Sequence, residues 1–400
     1  MKVVMLTREY PPEVYGGAGV HVEYLSRELA KLADVEVRCF GADRQRLPDG
    51  PSVRAYRPWE ALDGDGAAAV LGVLSVDLAM AAGLDGAALV HSHTWYANFA
   101  GHLAKLLHGI PHVATTHSLE PLRPWKRDQL GGGGYELTRF VERTALEAAD
   151  AVVAVSEGMR RDILRVYPAI EPDRVRVVHN GIDADEYAPD RGTEVLKALG
   201  VDPERPSVVF VGRITHQKGV RHLLDAAHHI DPAAQLVLCA GAPDTPEIGA
   251  ETEARVARLE AERGNVIWIR EMLPKPHVIQ LLTHATAFVC PSIYEPLGIV
   301  NLEAMACETA VVATAVGGIP EVVADGETGI LVPFEQTPEG EPADPDALAR
   351  GLADGVNELL ADPARAEVMG KAGRARVLER FTWTEVARRT LALYEELAGS

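Results

Sequence analysis

The chain has 400 residues, of which 47% are hydrophobic, and a formal net charge of -19. That length exceeds one ordinary core and predicts two domains of roughly 180 residues each. The acidity excludes a general nucleic-acid binder, which needs Lys and Arg to neutralise phosphates, and no uncharged apolar run is long enough to span a bilayer.

In chain order, Val3–Thr7, Val35–Cys39, Ala88–His91, His112–Thr116 and Ala151–Val155 are short apolar runs of the kind that form buried parallel strands. Between them Val20–Leu32 and Tyr135–Ala148 carry apolar residues at helical spacing. Residues 184–206 are acidic, proline-bearing and poor in apolar runs, as a connection between domains should be. Then the plan repeats, with strands expected at Ser207–Val211, Gln235–Cys239, Val266–Ile269, Ala287–Cys290 and Ala310–Ala313. Two doubly wound α/β units follow: domain 1–185, linker 186–206, domain 207–382, and a helix in 383–400 that can cross back to the first domain. Glu335–Asp346, rich in Glu and Pro, reads as a surface loop. Cys39, Cys239, Cys290 and Cys307 lie far apart with no C-x-x-C pair, which predicts reduced thiols. Lys2 leads into a short strand without the pattern of a signal peptide, so a cytoplasmic location is expected.

Glu295 and Glu303 stand eight positions apart across a Pro-Leu-Gly turn that opens a helix. On that spacing a loop carboxylate can face a sugar, the amides of Gly298, Ile299 and Val300 can hold a phosphate, and the second carboxylate can meet a ribose diol. An amphipathic helix with a surface Glu explains the two carboxylates alone equally well. Gly212-Arg213-Ile214-Thr215-His216-Gln217-Lys218-Gly219 follows a strand end, where open α/β sheets bind ligands, and two cations there suit a diphosphate. The glycines of Gly16-Gly17-Ala18-Gly19 sit where the first strand should pass to the first helix, allowing close approach of an anion; a plain tight turn is the alternative.

His117 ends the strand His112–Thr116, facing the expected cleft as a general base or hydrogen-bond donor to a sugar. His93 and Trp95 close the preceding strand, where an indole offers a flat face to a sugar ring; structural packing explains Trp95 as well. Arg123, Lys126 and Arg127 form a basic group, with Trp125, ahead of the four glycines Gly131 to Gly134, suited either to an anionic acceptor or to plain solvation. Asp183-Ala184-Asp185 resembles a D-x-D metal motif superficially but reads as turn chemistry, so no metal site is expected. Motifs for zinc hydrolysis, acyl transfer and P-loop NTPases are absent from the sequence.

Taken together, Gly16-Gly17, Arg213 with Lys218, and Glu295 with Glu303 resemble the retaining glycosyltransferases of family 4, over nearly the whole chain. That resemblance implies the GT-B fold, two Rossmann-like domains facing a deep cleft. The segments from Leu6 to His21 and from Pro121 to Lys126 are similar to a narrower group, the actinobacterial glycogen synthase / α-maltose-1-phosphate synthase. Bacterial family-5 glycogen synthases carry a K-T-G-G-L loop where this chain has Val14-Tyr15-Gly16-Gly17, and a residue other than Glu at the position of Glu303.

The resemblance implies ADP-glucose, or another nucleotide-glucose, as donor and glucose 1-phosphate or an α-glucan as acceptor, with no cofactor and no metal. Arg213 and Lys218 would bind the diphosphate, Glu295 and His117 the transferred glucose, and Glu303 the ribose. Gly16, Gly17 and the amides after Leu297 would complete the anion site, with the backbone from Trp268 to Met272, including Arg270, edging the base. His93, Trp95, Arg123, Lys126 and Arg127 would line the acceptor side. Maltose 1-phosphate synthesis leads, ahead of glucan elongation, another sugar acceptor, and the non-catalytic sensor or epimerase roles that the same fold hosts. Self-association into a homo-oligomer stays open.

Overall fold

The computed structural model describes residues 1–42, 44 and 50–399. Contacts divide the chain into two units, one made of Met1–Gly181 with the segment from Trp383 onward, the other of Ile182–Thr382.

In the first unit the strands are β1 (Lys2–Leu6), β2 (Asp34–Phe40), β3 (Ser52–Tyr56), β4 (Leu89–His93), β5 (His112–Thr116), β6 (Ala151–Ala154) and β7 (Val175–Val177). They form one parallel sheet in the order β3-β2-β1-β4-β5-β6-β7. Successive side chains of a strand point to opposite faces, and β1 shows what that requires of the sequence. Val3 and Met5 join one buried cluster, with Val22, Leu25 and Leu29. Val4 and Leu6 join another, with Val76, Met80 and Ala100. A strand covered on both faces buries every side chain, which favours an unbroken apolar run.

The second unit repeats the winding with β8 (Ser207–Arg213), β9 (Gln235–Gly241), β10 (Val266–Ile269), β11 (Ala287–Cys290), β12 (Val311–Thr314) and β13 (Gly329–Val332). All pairs are parallel, in the order β10-β9-β8-β11-β12-β13. Both sheets start at an inner strand, run outward through two strands, and then return to the other side of the first. β3, β7 and β13, which the apolar pattern missed, lie at sheet edges and are only three to five residues long.

The expected linker 186–206 packs as part of the second unit instead. Tyr187, Leu196 and Val201 are buried, and the backbone amide of Val195 donates to Gln280 Oε1 at 2.8 Å. The short helix Glu194–Ala198 lies within this stretch. The chain passes between units at Gly181, where a Cβ would lie 2.8 Å from the Trp383 ring, so only glycine fits.

The C-terminal helix Trp383–Ala398 belongs to the first unit, against the helix Gly17–Ala30. Trp383 stacks on Tyr24, with ring centroids 5.6 Å apart, and Tyr394 is fully buried. The Tyr394 hydroxyl lies within hydrogen-bond distance of His91 Nδ1, and His91 Nε2 of Thr115 Oγ1 at 2.6 Å. Tyr394→Phe leaves His91 Nδ1 without that partner in the buried interior. It should lower stability by about 1–3 kcal/mol, seen as an earlier unfolding transition in urea; an unchanged midpoint would show that the bond contributes nothing.

Candidate functional site

In an open parallel sheet, ligands bind beyond the carboxyl ends of the strands where the winding reverses. In the second unit that point lies between β8 and β11. After β8 the Thr215 hydroxyl accepts from the Lys218 amide at 3.3 Å, closing a single turn over His216–Lys218. Gly219 then takes φ +61°, and a Cβ there would stand 2.0 Å from the carbonyl oxygen of Pro291. The Ile293 amide donates to Gln217 O at 2.9 Å, so the loops leaving β8 and β11 are stitched together.

This stitching brings Lys218 Nζ to 2.6 Å from Glu295 Oε2, which also accepts from Ser292 Oγ at 3.2 Å. Glu295 is buried. Burial by itself would lower the Lys218 pKa, but the charge and hydrogen bond of Glu295 outweigh it and the pKa is raised, so the ammonium stays charged. Arg213 leaves the same strand end with Nη1 3.3 Å from Asp244 Oδ1.

Gly298, at φ +93°, turns the chain into the helix Ile299–Ala306, and its place beside the Asn301 side chain leaves no room for a Cβ. Leu297 is buried beneath the turn. The first amides of a helix have no intrahelical acceptor, so those of Ile299 and Val300 are suited to an anion. Glu303, within that helix, accepts from the Tyr187 hydroxyl at 3.0 Å. Burial pushes its carboxyl up to about 7, with Tyr187, Lys275 and Lys218 pulling the other way. Arg270 and Met272 follow the edge strand β10. The Arg270 guanidinium lies 4.0 Å from the Trp268 ring centroid, and Met272 is exposed.

Four contributors here carry no recognisable sequence signal. Gly317, at φ +58°, would place a Cβ 1.9 Å from the Glu295 carbonyl oxygen, and the Gly318 amide donates to that oxygen at 3.0 Å. Thr314 Oγ1 donates to Ser292 O at 2.5 Å. Tyr187 comes from the stretch expected as linker. The Glu335–Asp346 segment is more than a surface loop: Glu341 binds both His216 and Arg221, and Gln336 Nε2 donates to Ile293 O at 2.7 Å.

In the first unit the winding reverses between β1 and β4. The amides of Tyr15 and Gly16 donate to Glu9 Oε2 at 2.8 and 2.7 Å, so an internal carboxylate occupies the place expected for a phosphate, ahead of the helix that begins at Gly17. Beyond β4, Thr94 adopts φ +63°, a strained conformation for a β-branched residue, between His93 and Trp95. Trp95 is buried against Tyr96, with centroids 4.1 Å apart. His93 Nδ1 and His117 Nε2 are 3.2 Å apart. Burial holds the His117 pKa well below the usual range, with His21 and His91 adding to it, so the imidazole is neutral and suited to hydrogen bonding.

The basic group divides. Lys126 is buried with Nζ 2.8 Å from Glu120 Oε1, a carboxylate that also accepts from Thr138. Glu142 lies beside it, pushed up to about 8 by burial and then by the Glu120 charge. Lys126 is therefore committed to neutralising an interior acid pair, a structural duty that the acceptor reading did not foresee. Arg127 is exposed and paired with Glu136 at 2.9 Å. Arg123 Nη1 reaches Ser118 Oγ at 3.3 Å and lies 3.8 Å from Glu120 Oε1, and its Nε is buried without a hydrogen-bond partner. Asp183 accepts from the amides of Asp185 and Glu186 at 3.1 and 3.0 Å, an Asx turn.

Two family models match: Glycosyltransferase Family 4 over residues 15–186 and Glycosyl transferases group 1 over residues 193–376. The chain is 57% identical to the alpha-maltose-1-phosphate synthase of Mycolicibacterium smegmatis and 54% identical to that of Mycobacterium tuberculosis, over the full length of both chains in each case. It belongs to the alpha-maltose-1-phosphate synthase family of glycosyltransferases. The chain is a hexosyltransferase. Among solved structures, sucrose-phosphate synthase from Thermosynechococcus elongatus matches over the whole of both chains, with TM-score 0.76 and 27% identity, and the fold class is GT-B.

The division of the basic group is open to measurement. Lys126→Ala removes the nearer cation from buried Glu120, leaving Arg123 Nη1 at 3.8 Å, and should cost up to about 3–5 kcal/mol, whereas Arg127→Ala should stay within about 0.5 kcal/mol. Equal urea midpoints for the two variants would contradict the buried pairing.

Glu303 supplies a pH signature. Its folded carboxyl titrates near 7 against an ordinary 4.5, so the folded state holds the extra proton between those values. The stability this proton contributes is complete below about 4.5 and is lost as pH rises through about 7. Glu303→Gln cannot ionise and should gain melting temperature relative to wild type above neutrality but not in acid; parallel pH profiles would place the proton elsewhere.

Proposed function

We propose that the chain is a retaining glucosyltransferase that moves α-glucose from ADP-glucose to glucose 1-phosphate, giving α-maltose 1-phosphate for α-glucan synthesis. The observation that carries this reading is full-length identity of 57% and 54% to proteins named for that product. In the step, the bond from the anomeric carbon to the β-phosphate oxygen breaks. A bond to the acceptor hydroxyl forms on the same face of the sugar, and the hydroxyl proton passes to the departing phosphate.

Charge develops on that phosphate, and Arg213 and Lys218 are the cations assigned to it. Each rests against a carboxylate, Asp244 and Glu295, which holds it in place before substrate arrives. The amides of Gly298, Ile299 and Val300 add donors without a mobile charge. Glu295 is assigned to the transferred glucose and Glu303 to the ribose, while the neutral imidazole of His117 bonds a sugar hydroxyl. Gly16 and Gly17 are assigned to an anion through their amides, in the place where Glu9 now accepts from Gly16. On the acceptor side Arg123, with its unpartnered Nε, is the cation for the phosphate of glucose 1-phosphate.

Incubation of the purified chain with each nucleotide-glucose and glucose 1-phosphate, followed by product identification, tests the proposal. Maltose 1-phosphate formed fastest from ADP-glucose is expected; glucan elongation alone would overturn it. Arg123→Ala should raise KM for glucose 1-phosphate while leaving use of a maltooligosaccharide, which has no phosphate, little changed.

Arg213→Ala or Lys218→Ala should each lower transfer at least about a hundredfold. Near-normal turnover in both would remove the diphosphate assignment. Glu295→Gln should lower kcat more than it raises donor KM, with Glu303→Gln showing the opposite balance.

A further inference from the structure

Three histidines of the first unit converge from separate elements: His21 from the helix Gly17–Ala30, His93 from the end of β4, and His117 just beyond β5. One ring nitrogen of each lies within 4.8 Å of the other two. The ring centroids are 4.7 Å apart for His21 and His117, 5.3 Å for His21 and His93, and 5.5 Å for His93 and His117.

Three imidazoles on one tetrahedral zinc, with Zn–N of about 2.0–2.1 Å, have centroids roughly 5 Å apart and ligand nitrogens roughly 3.3 Å apart. His93 Nδ1 and His117 Nε2 already stand 3.2 Å apart. His21 is almost fully buried, yet its Nε2 has no hydrogen-bond partner. Such an orphaned nitrogen is costly unless something fills it. His21 Nδ1 is 2.7 Å from Asn180 Oδ1. A carbonyl can only accept, so this contact puts the His21 proton on Nδ1 and leaves Nε2 as a lone pair, the arrangement in which metal-binding histidines are held.

We propose that His21, His93 and His117 form a site for one zinc-class divalent ion, with Asn180 orienting His21, and that an ion seated there inhibits transfer. The site is separate from any catalytic metal, which the proposed reaction does not need. Inhibition follows because the ion takes the lone pair of His117; that half rests on the sugar-binding role given to His117 above, whereas binding does not. All four cysteines are buried, so a bound ion should be nitrogen-ligated.

The test uses the full chain without a polyhistidine tag, titrated with Co²⁺ and followed by visible absorption, then with Zn²⁺ by calorimetry. One tetrahedral Co²⁺ per chain, without thiolate charge-transfer bands and displaced by Zn²⁺, is expected. Asn180→Ala should weaken binding about 10–100-fold, and His21→Gln at least as much. Zn²⁺ should inhibit wild type over the concentrations at which it binds, and the ratio of rates with and without Zn²⁺ should return towards one in His21→Gln. Wild type that gives no tetrahedral Co²⁺ spectrum overturns the site whatever the variants do, as does unchanged affinity in folded His21→Gln. Binding without inhibition upholds the site and overturns the role given to His117.

Discussion

The centre of each candidate cluster depends on one topological constraint, the reversal of winding beside the first strand of each parallel sheet. Chains leaving the two central strands depart in opposite directions there, and the space between their carboxyl ends is filled by loops instead of a crossover helix. In the second unit those loops are the ones bearing Arg213 and Lys218 after β8 and Glu295 after β11. In the first they are the glycine loop after β1 and the His93–Trp95 turn after β4.

Packing charged groups into those loops requires compensation, and the two units achieve it differently. Lys218 and Glu295 neutralise one another at 2.6 Å while both stay close enough to the surface to exchange partners with a ligand. Lys126 and Glu120 form the same kind of pair at 2.8 Å but deep among Thr138, Tyr135 and Glu142. There the desolvated acid pair needs the ammonium permanently. A similar contact is therefore part of a candidate substrate site in one unit and part of the framework in the other, the difference being access.

The C-terminal helix ties the framework to the histidines. Tyr394 fixes His91, whose ring lies 4.2 Å from His93, and Trp383 meets His21 edge-on at 5.4 Å. Imidazoles packed this closely and this deeply disfavour protonation of one another. Their shared neutrality suits them to hydrogen bonding and to metal ligation, and rules out service as standing cations.

The sequence by itself determined the α/β class, the inner strands and the positions of Arg213, Lys218, Glu295 and Glu303. Each of these rests on local pattern: unbroken apolar runs where both sheet faces are covered, and motif residues lying close along the chain. The tertiary structure alone decided what depends on distant partners. It placed Tyr187 on Glu303, set Glu9 on the amide of Gly16, strapped Glu341 to His216, and assigned 182–206 to the second unit. It also separated Lys126 from Arg127, neighbours in sequence with the same charge, because burial and the nearest carboxylate are properties of the folded chain. The meeting of His21, His93 and His117 was illegible for the same reason: residues 72 and 24 positions apart share no periodicity, and only the parallel sheet brings their elements together.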